Sequence, residues 1–133
     1  MKRAQTAGAC PCGGSDYAAC CGRFHEGALP DTAEQLMRSR YSAYALGLME
    51  YVHLTWHPGT RPALAELRND AVTKWLGLEV KRHAATGDDE SIVEFVARSK
   101  SGGRAQRLHE VSRFAREGGQ WFYVDGSFPE DEK

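Results

Sequence analysis

The chain has 133 residues, with 17 basic and 18 acidic side chains, a formal net charge of -1 and 41 % hydrophobic residues. That length suits one ordinary domain with a short appendage and a single core. The balanced charge creates no global field toward nucleic acid or anionic lipid, and the apolar fraction excludes the disordered class.

Residues 1–29 are short of branched apolar side chains and hold all four cysteines, Cys10, Cys12, Cys20 and Cys21. Such a segment buries too little to offset the entropy of ordering it, so a staple other than a core is needed. No apolar stretch follows Met1-Lys2-Arg3, and no run reaches the roughly 18 apolar residues of a membrane span, so the expected location is cytoplasmic. Thiols stay reduced there, which favours metal ligation over disulfides. Cys10 and Cys12 flank Pro11, Gly13 and Gly14 let the chain reverse, and the return arm delivers Cys20 and Cys21. Adjacent residues reach one ion only where the backbone between them kinks, so His25 is kept as the substitute for Cys21. Four sulfurs at about 2.3 Å suit tetrahedral zinc, and the same set would accept iron.

Composition shifts near Pro30, dividing a knuckle (1–29) from a body (30–133). Asp31 and Thr32, with Glu34 and Gln35 three residues beyond each, form capping-box patterns. Leu36, Met37, Tyr41, Tyr44, Ala45 and Leu48 then recur at helical spacing. A second helix is predicted over 49–57, stopping at Pro58, and a third from Thr60 and Pro62 to about Asn69. Residues 75–83 predict a strand with Leu76, Leu78 and Val80 on one side. Runs Ile92–Arg98, Ala105–Arg116 and Gln120–Asp125 follow. Thr86-Gly87-Asp88-Asp89, Ser101-Gly102-Gly103 and Gly118-Gly119 separate the strands as hairpin turns. Helices followed by a meander give an α+β fold, its sheet curled against the helices, with a frayed charged tail from Pro129 to Lys133.

The run Cys10-Pro-Cys-Gly-Gly-Ser-Asp-Tyr-Ala-Ala-Cys-Cys-Gly-Arg-Phe-His resembles the SEC-C metal-binding motif, best known from the tail of the translocation ATPase SecA. Its pattern, Cys-x-Cys-x-Ser-Gly, a spacer, then Cys followed by His or Cys, maps onto Cys10, Cys12, Cys20 and Cys21. This chain departs by a shorter spacer and by Gly-Gly-Ser in place of Gly-Ser-Gly. Phe24 to Gly27, Leu36 to Tyr44, Tyr51 to Pro58, Leu108 to Phe114 and Trp121 to Gly126 resemble the YchJ-like family of uncharacterised bacterial proteins. That resemblance implies a SEC-C knuckle on a nuclear transport factor 2-like domain, a cone of helices packed on a curved antiparallel sheet. It brings no activity with it.

Within such a cone, alternation puts Leu108, Glu110, Ser112 and Phe114 on one face of the third strand, with His109, Val111, Arg113 and Ala115 on the other. On the fourth, Trp121, Tyr123 and Asp125 oppose Phe122 and Val124. Glu110 and Ser112 with Arg40 or Tyr44 would make an acid–base pocket, although nothing in the spacing requires one. The plainer expectation pairs Glu110 with Arg113 or Arg40, leaves His53 and His109 on solvated faces or donating to a carbonyl, and puts Trp56 in the core. It also keeps Trp75, Trp121 and Tyr123 as sheet aromatics rather than a stacking platform for single strands. No catalytic residue is assigned, and Ser101-Gly102-Gly103-Arg104 lacks the lysine and spacing of a phosphate loop. The leading functional expectation is an adaptor. Its knuckle, with Arg23, Lys2 and Arg3, would meet an acidic partner such as a chaperone, the ribosome or a translocation component, and nucleic acid only through the ribosome. The rivals are an enzyme or small-ligand carrier using the cone, and a purely structural knuckle with a homodimer formed by the outer face of the sheet.

Overall fold

In the first helix of the body, Thr32 Oγ1 accepts from Gln35 N at 3.1 Å while the Gln35 side chain reaches back to Asp31 N at 2.7 Å. Two amides that a helix start leaves open are thereby satisfied. The computed structural model describes residues 8–67 and 73–129. A 3-10 turn at Tyr17–Ala19 leads into a short helix α1 (Cys21–His25), followed by α2 (Ala33–Leu46) and α3 (Met49–Leu54). Four antiparallel strands then meander in the order β1 (Thr73–Gly87), β2 (Glu90–Ser101), β3 (Arg104–Glu117) and β4 (Gln120–Ser127). Gly102-Gly103 and Gly118-Gly119 take positive φ at both turn positions, the geometry that matches strand twist in a two-residue hairpin.

Four expectations are corrected by longer-range packing. The second helix ends at Leu54, because Thr55 and His57 are captured by β4. Tyr123 N donates to Thr55 O at 2.9 Å, His57 N donates to Tyr123 O at 2.7 Å, and Trp56 bridges in parallel to Tyr123. This short bridge covers part of an edge strand. The third helix shrinks to a 3-10 turn at Leu64–Glu66 that buries no side chain, so packing gives it nothing to extend on; the end expected near Asn69 lies outside the described residues. On β1, an irregularity in the pairing between Trp75 and Gly77 turns Trp75, Leu78 and Val80 toward the core cluster and leaves Leu76 61 % exposed. On β4, a register break opposite Arg113 and Phe114 puts Asp125 beside Arg113 instead of on the Tyr123 face. The tail at 130–133 lies outside the described residues.

One apolar cluster runs from Cys10, Cys12, Tyr17 and Cys21 through Leu36, Met37 and Tyr41 to Val93, Phe95, Phe114 and Trp121. It crosses the composition boundary at Pro30 without interruption. Helix α2 is the element both parts share, which explains why Ser39, Ser42 and Ala43 are buried along with its large apolar residues. Among the described residues, no helix is long and apolar enough to cross a membrane.

Candidate metal centre

The four cysteines converge from two short arms. Cys10 N donates to Gly14 O and Gly13 N to Cys10 O, both at 3.0 Å, so the first arm closes into a tight loop around Cys12. The return arm passes through the 3-10 turn, and Cys20, at φ -114° and ψ -113°, supplies the kink between that turn and α1. That kink lets adjacent Cys20 and Cys21 face the same point. All four Sγ atoms lie within 4.8 Å of one another, and Cys12 and Cys20 are 3.6 Å apart. Tetrahedral coordination at about 2.3 Å places sulfurs roughly 3.8 Å apart, so the donor set fits a zinc-sized ion with little adjustment. Gly14 is needed for this approach, since a Cβ there would sit 2.7 Å from Cys20 Sγ.

Crowded thiols share charge unevenly. Hydrogen bonding from Cys21 leads in drawing Cys12 down to about 4, overcoming burial, with the Gly14 amide and the other thiols assisting. Cys20 is pushed up to about 11, first by burial and then by Cys12. Cys21 is also raised, first because its S–H is held by Cys12 and then by burial. Cys12 is thus the most readily ionised of these three thiols, and Cys20 and Cys21 resist following it. A divalent cation removes that resistance, and its binding releases protons.

His25, the alternative ligand, does different work. Its Nε2 meets the Ser39 carbonyl oxygen at 2.9 Å, which makes that nitrogen the N–H donor. Nδ1 is then the acceptor for Tyr17 OH at 2.6 Å, and the ring packs edge-on against Tyr51 at 4.7 Å. Both ring nitrogens are therefore engaged away from the sulfurs, joining the knuckle to α2 and α3. Ser42 Oγ lies 3.4 Å from Cys10 Sγ, and Arg38 Nη1 donates to Cys12 O at 3.2 Å. Sequence reasoning missed Ser39, Ser42 and Arg38 as supports. The available signal was two small polar residues within a helix otherwise rich in large apolar ones.

Leu108, Glu110, Ser112 and Phe114 share the concave face with Arg40, Tyr44, Trp56, Trp75 and Tyr123. Glu110 pairs with neither arginine: its Oε2 accepts from Ser112 Oγ at 2.7 Å and Tyr123 OH at 3.1 Å. Arg113 instead forks onto Asp125 at 2.6 and 2.7 Å. Arg40 Nη1 donates to Val52 O and Thr55 Oγ1, both at 2.8 Å, and its guanidinium lies 4.4 Å over the Tyr123 ring. His109 Nε2 meets Glu94 Oε2 at 2.7 Å. Trp56 is half-buried, and its Nε1 is a buried donor without a partner among the described residues. Trp121 and Tyr123 turn inward and Trp75 packs on Tyr41, so these three form no outward stacking face.

Residues 32–126 match the model of the YchJ middle NTF2-like domain. A UPF0225 protein of Chromobacterium violaceum is 57 % identical over 130 residues, covering 94 % of this chain and 96 % of its own. Another, from Cupriavidus pinatubonensis, is 58 % identical over 125 residues, covering 88 % and 86 %. The solution structure of a SEC-C motif containing protein from Rhodopseudomonas palustris aligns with a TM-score of 0.77 at 32 % identity, over 90 % of this chain and 98 % of that one. The crystal structure of a SEC-C motif containing protein from Psychrobacter arcticus aligns at 0.76 and 30 % identity, over 90 % and 82 %. With its NTF2-like α+β body and its cysteine-bearing N-terminus, the chain belongs to the YchJ-like UPF0225 family.

Proposed function

We propose that this protein is a cytoplasmic zinc-binding adaptor whose SEC-C knuckle docks a protein partner, a chaperone, the ribosome or a translocation component. One observation carries the reading: four sulfurs within 4.8 Å of one another form a closed donor set. Cys10, Cys12, Cys20 and Cys21 would hold the ion, and four protein sulfurs leave no position for water or substrate. When bound, zinc supplies charge compensation and a fixed backbone, the usual role of a closed site. The chain's own residues then shape a surface. Arg23 is exposed, its Nε donating to Cys20 O at 3.2 Å and its guanidinium lying 4.4 Å over Phe24. Leu29, at the end of the same segment, is 55 % exposed. A held arginine and an exposed leucine suit an acidic partner with an apolar spot. Lys2 and Arg3, which would add to that charge, lie outside the described residues.

The test is co-sedimentation with purified ribosomes, and affinity capture with purified translocation ATPase and chaperone, of the zinc-loaded chain and of Arg23→Glu. The variant keeps the cysteine cluster and the buried seam where His25 joins the knuckle to α2 and α3. Capture of the wild type by one of these partners, with a loss of about tenfold or more in Arg23→Glu, is expected. Equal capture of both proteins, or none of either, rejects the proposal.

A further inference from the structure

Between α2 and the concave face of the sheet lies a cavity of about 180 Å³. Tyr41, Trp75, Phe95, Leu108 and Phe114 give it an aromatic and aliphatic wall, and Arg40, Tyr44, Glu110 and Ser112 add polar groups. Arg40 and Glu110 are only 6 % and 8 % exposed. Burying two opposite charges is tolerable when they pair, yet no direct ion pair joins them. Each is only half used. Among the described residues, Glu110 accepts through Oε2 alone and Arg40 donates through Nη1 alone. The remaining atoms are not sealed off, because Trp56 Nε1 is the one buried side-chain polar atom without a partner among the described residues. Glu110 Oε1 and the Nε and Nη2 of Arg40 are therefore not shut off, and both residues line the cavity.

The size and chemistry of that space limit its occupant. An apolar cavity of roughly 150 Å³ admits benzene, so this one holds a single ring with one or two substituent atoms. A charged ligand would meet one like charge, Arg40 or Glu110, whereas a neutral ligand with a donor and an acceptor satisfies both. We propose that the cone is a binding site for a neutral, planar, single-ring molecule carrying an N–H or O–H donor and an oxygen acceptor, the chemistry of cyclic amides and phenols. The donor meets Glu110 Oε1, the acceptor meets Arg40, and the ring lies among the aromatic walls. This site is independent of the knuckle and of the adaptor reading.

The experiment titrates the zinc-loaded, isotope-labelled full chain with 2-pyridone, toluene and benzoate, following the indole N–H resonances of Trp56 and Trp75 and the Nε–H of Arg40. Saturable shifts with 2-pyridone at a Kd of about 1 mM or tighter, with toluene and benzoate about tenfold weaker or worse, are the expected result. In Glu110→Gln the amide oxygen takes over the bonds from Ser112 and Tyr123, so an N–H₂ faces the cavity and 2-pyridone weakens about tenfold. Ala97→Leu fills the space from a buried wall position and abolishes the shifts. The proposal is overturned if no probe moves these resonances in the wild type, which a cavity holding only water would give. It is equally overturned if toluene matches 2-pyridone while Glu110→Gln has no effect, or if benzoate binds tightest.

Discussion

Helix α2 separates two buried polar clusters that solve the same problem in opposite ways. Toward the N-terminus, Ser42 meets Cys10 and the Ser39 carbonyl holds His25; toward the sheet, Arg40 and Tyr44 face Glu110 and Ser112. The cone contains charges of both signs, supplied by the chain itself. The knuckle instead gathers four thiols around one point, where Cys20 and Cys21 resist giving up their protons. Chemistry carried within the sequence can be neutralised during folding, whereas a thiol cluster stays incomplete until a metal arrives. Order in the knuckle should therefore depend on metal, and order in the cone should not.

The largest separation between the two regions comes from removing the metal. Structural zinc sites carry about 10–16 kcal/mol of apparent binding free energy in small peptides, so chelation or Cys12→Ser should exceed every other single change. Hydrogen exchange should show residues 8–30 losing protection while amides of β2 and β3 keep most of theirs. Equal loss in both regions would erase the distinction. Arg40→Met attacks the other cluster. It removes the two bonds to Val52 O and Thr55 Oγ1, costing about 2 kcal/mol in denaturant unfolding with metal content unchanged.

Gly14→Ala sharpens the comparison further, because its Cβ would press on Cys20 Sγ at 2.7 Å and on nothing in the cone. Competition with a chelating dye should show metal affinity reduced about tenfold, equivalent to about 1.4 kcal/mol. The smallest effect is expected at the seam. Burial lowers the pKa of His25, with the Ser39 carbonyl opposing. The folded state therefore takes up this proton at a lower pH than the unfolded chain does. Stability present above about pH 6.5 is lost as pH falls toward the folded value, by less than about 1.4 kcal/mol per unit because the ring is only half-buried. His25→Gln should flatten that part of the stability profile relative to wild type; an unchanged slope would assign the pH dependence elsewhere.

Much of this was legible because it is local. The cysteine spacing, the Thr32 and Gln35 cap and the paired glycines of the hairpins each specify their own few residues. The alternation on β3 likewise brought Glu110 and Ser112 to one face without reference to the rest of the chain. What escaped depends on partners distant in sequence. Trp56 reads as the end of a helix until β4 is there to capture it, and Leu76 reads as core until the irregularity beside Trp75 turns it outward. His25 was kept open as a ligand because its true partners, Tyr17 and the Ser39 carbonyl, carry no spacing signal. The seam escaped for a related reason: cysteines and small serines supply buried contact without the branched apolar residues that usually announce it.

The most direct measurement is metal analysis of freshly isolated, reduced protein beside serine variants of Cys10, Cys12, Cys20 and Cys21 and the His25→Ala variant. The account predicts about one equivalent of zinc in the wild type and in the histidine variant, and its loss in all four cysteine variants. A wild-type chain with no stoichiometric metal whose residues 8–30 nonetheless remain protected from exchange would contradict it.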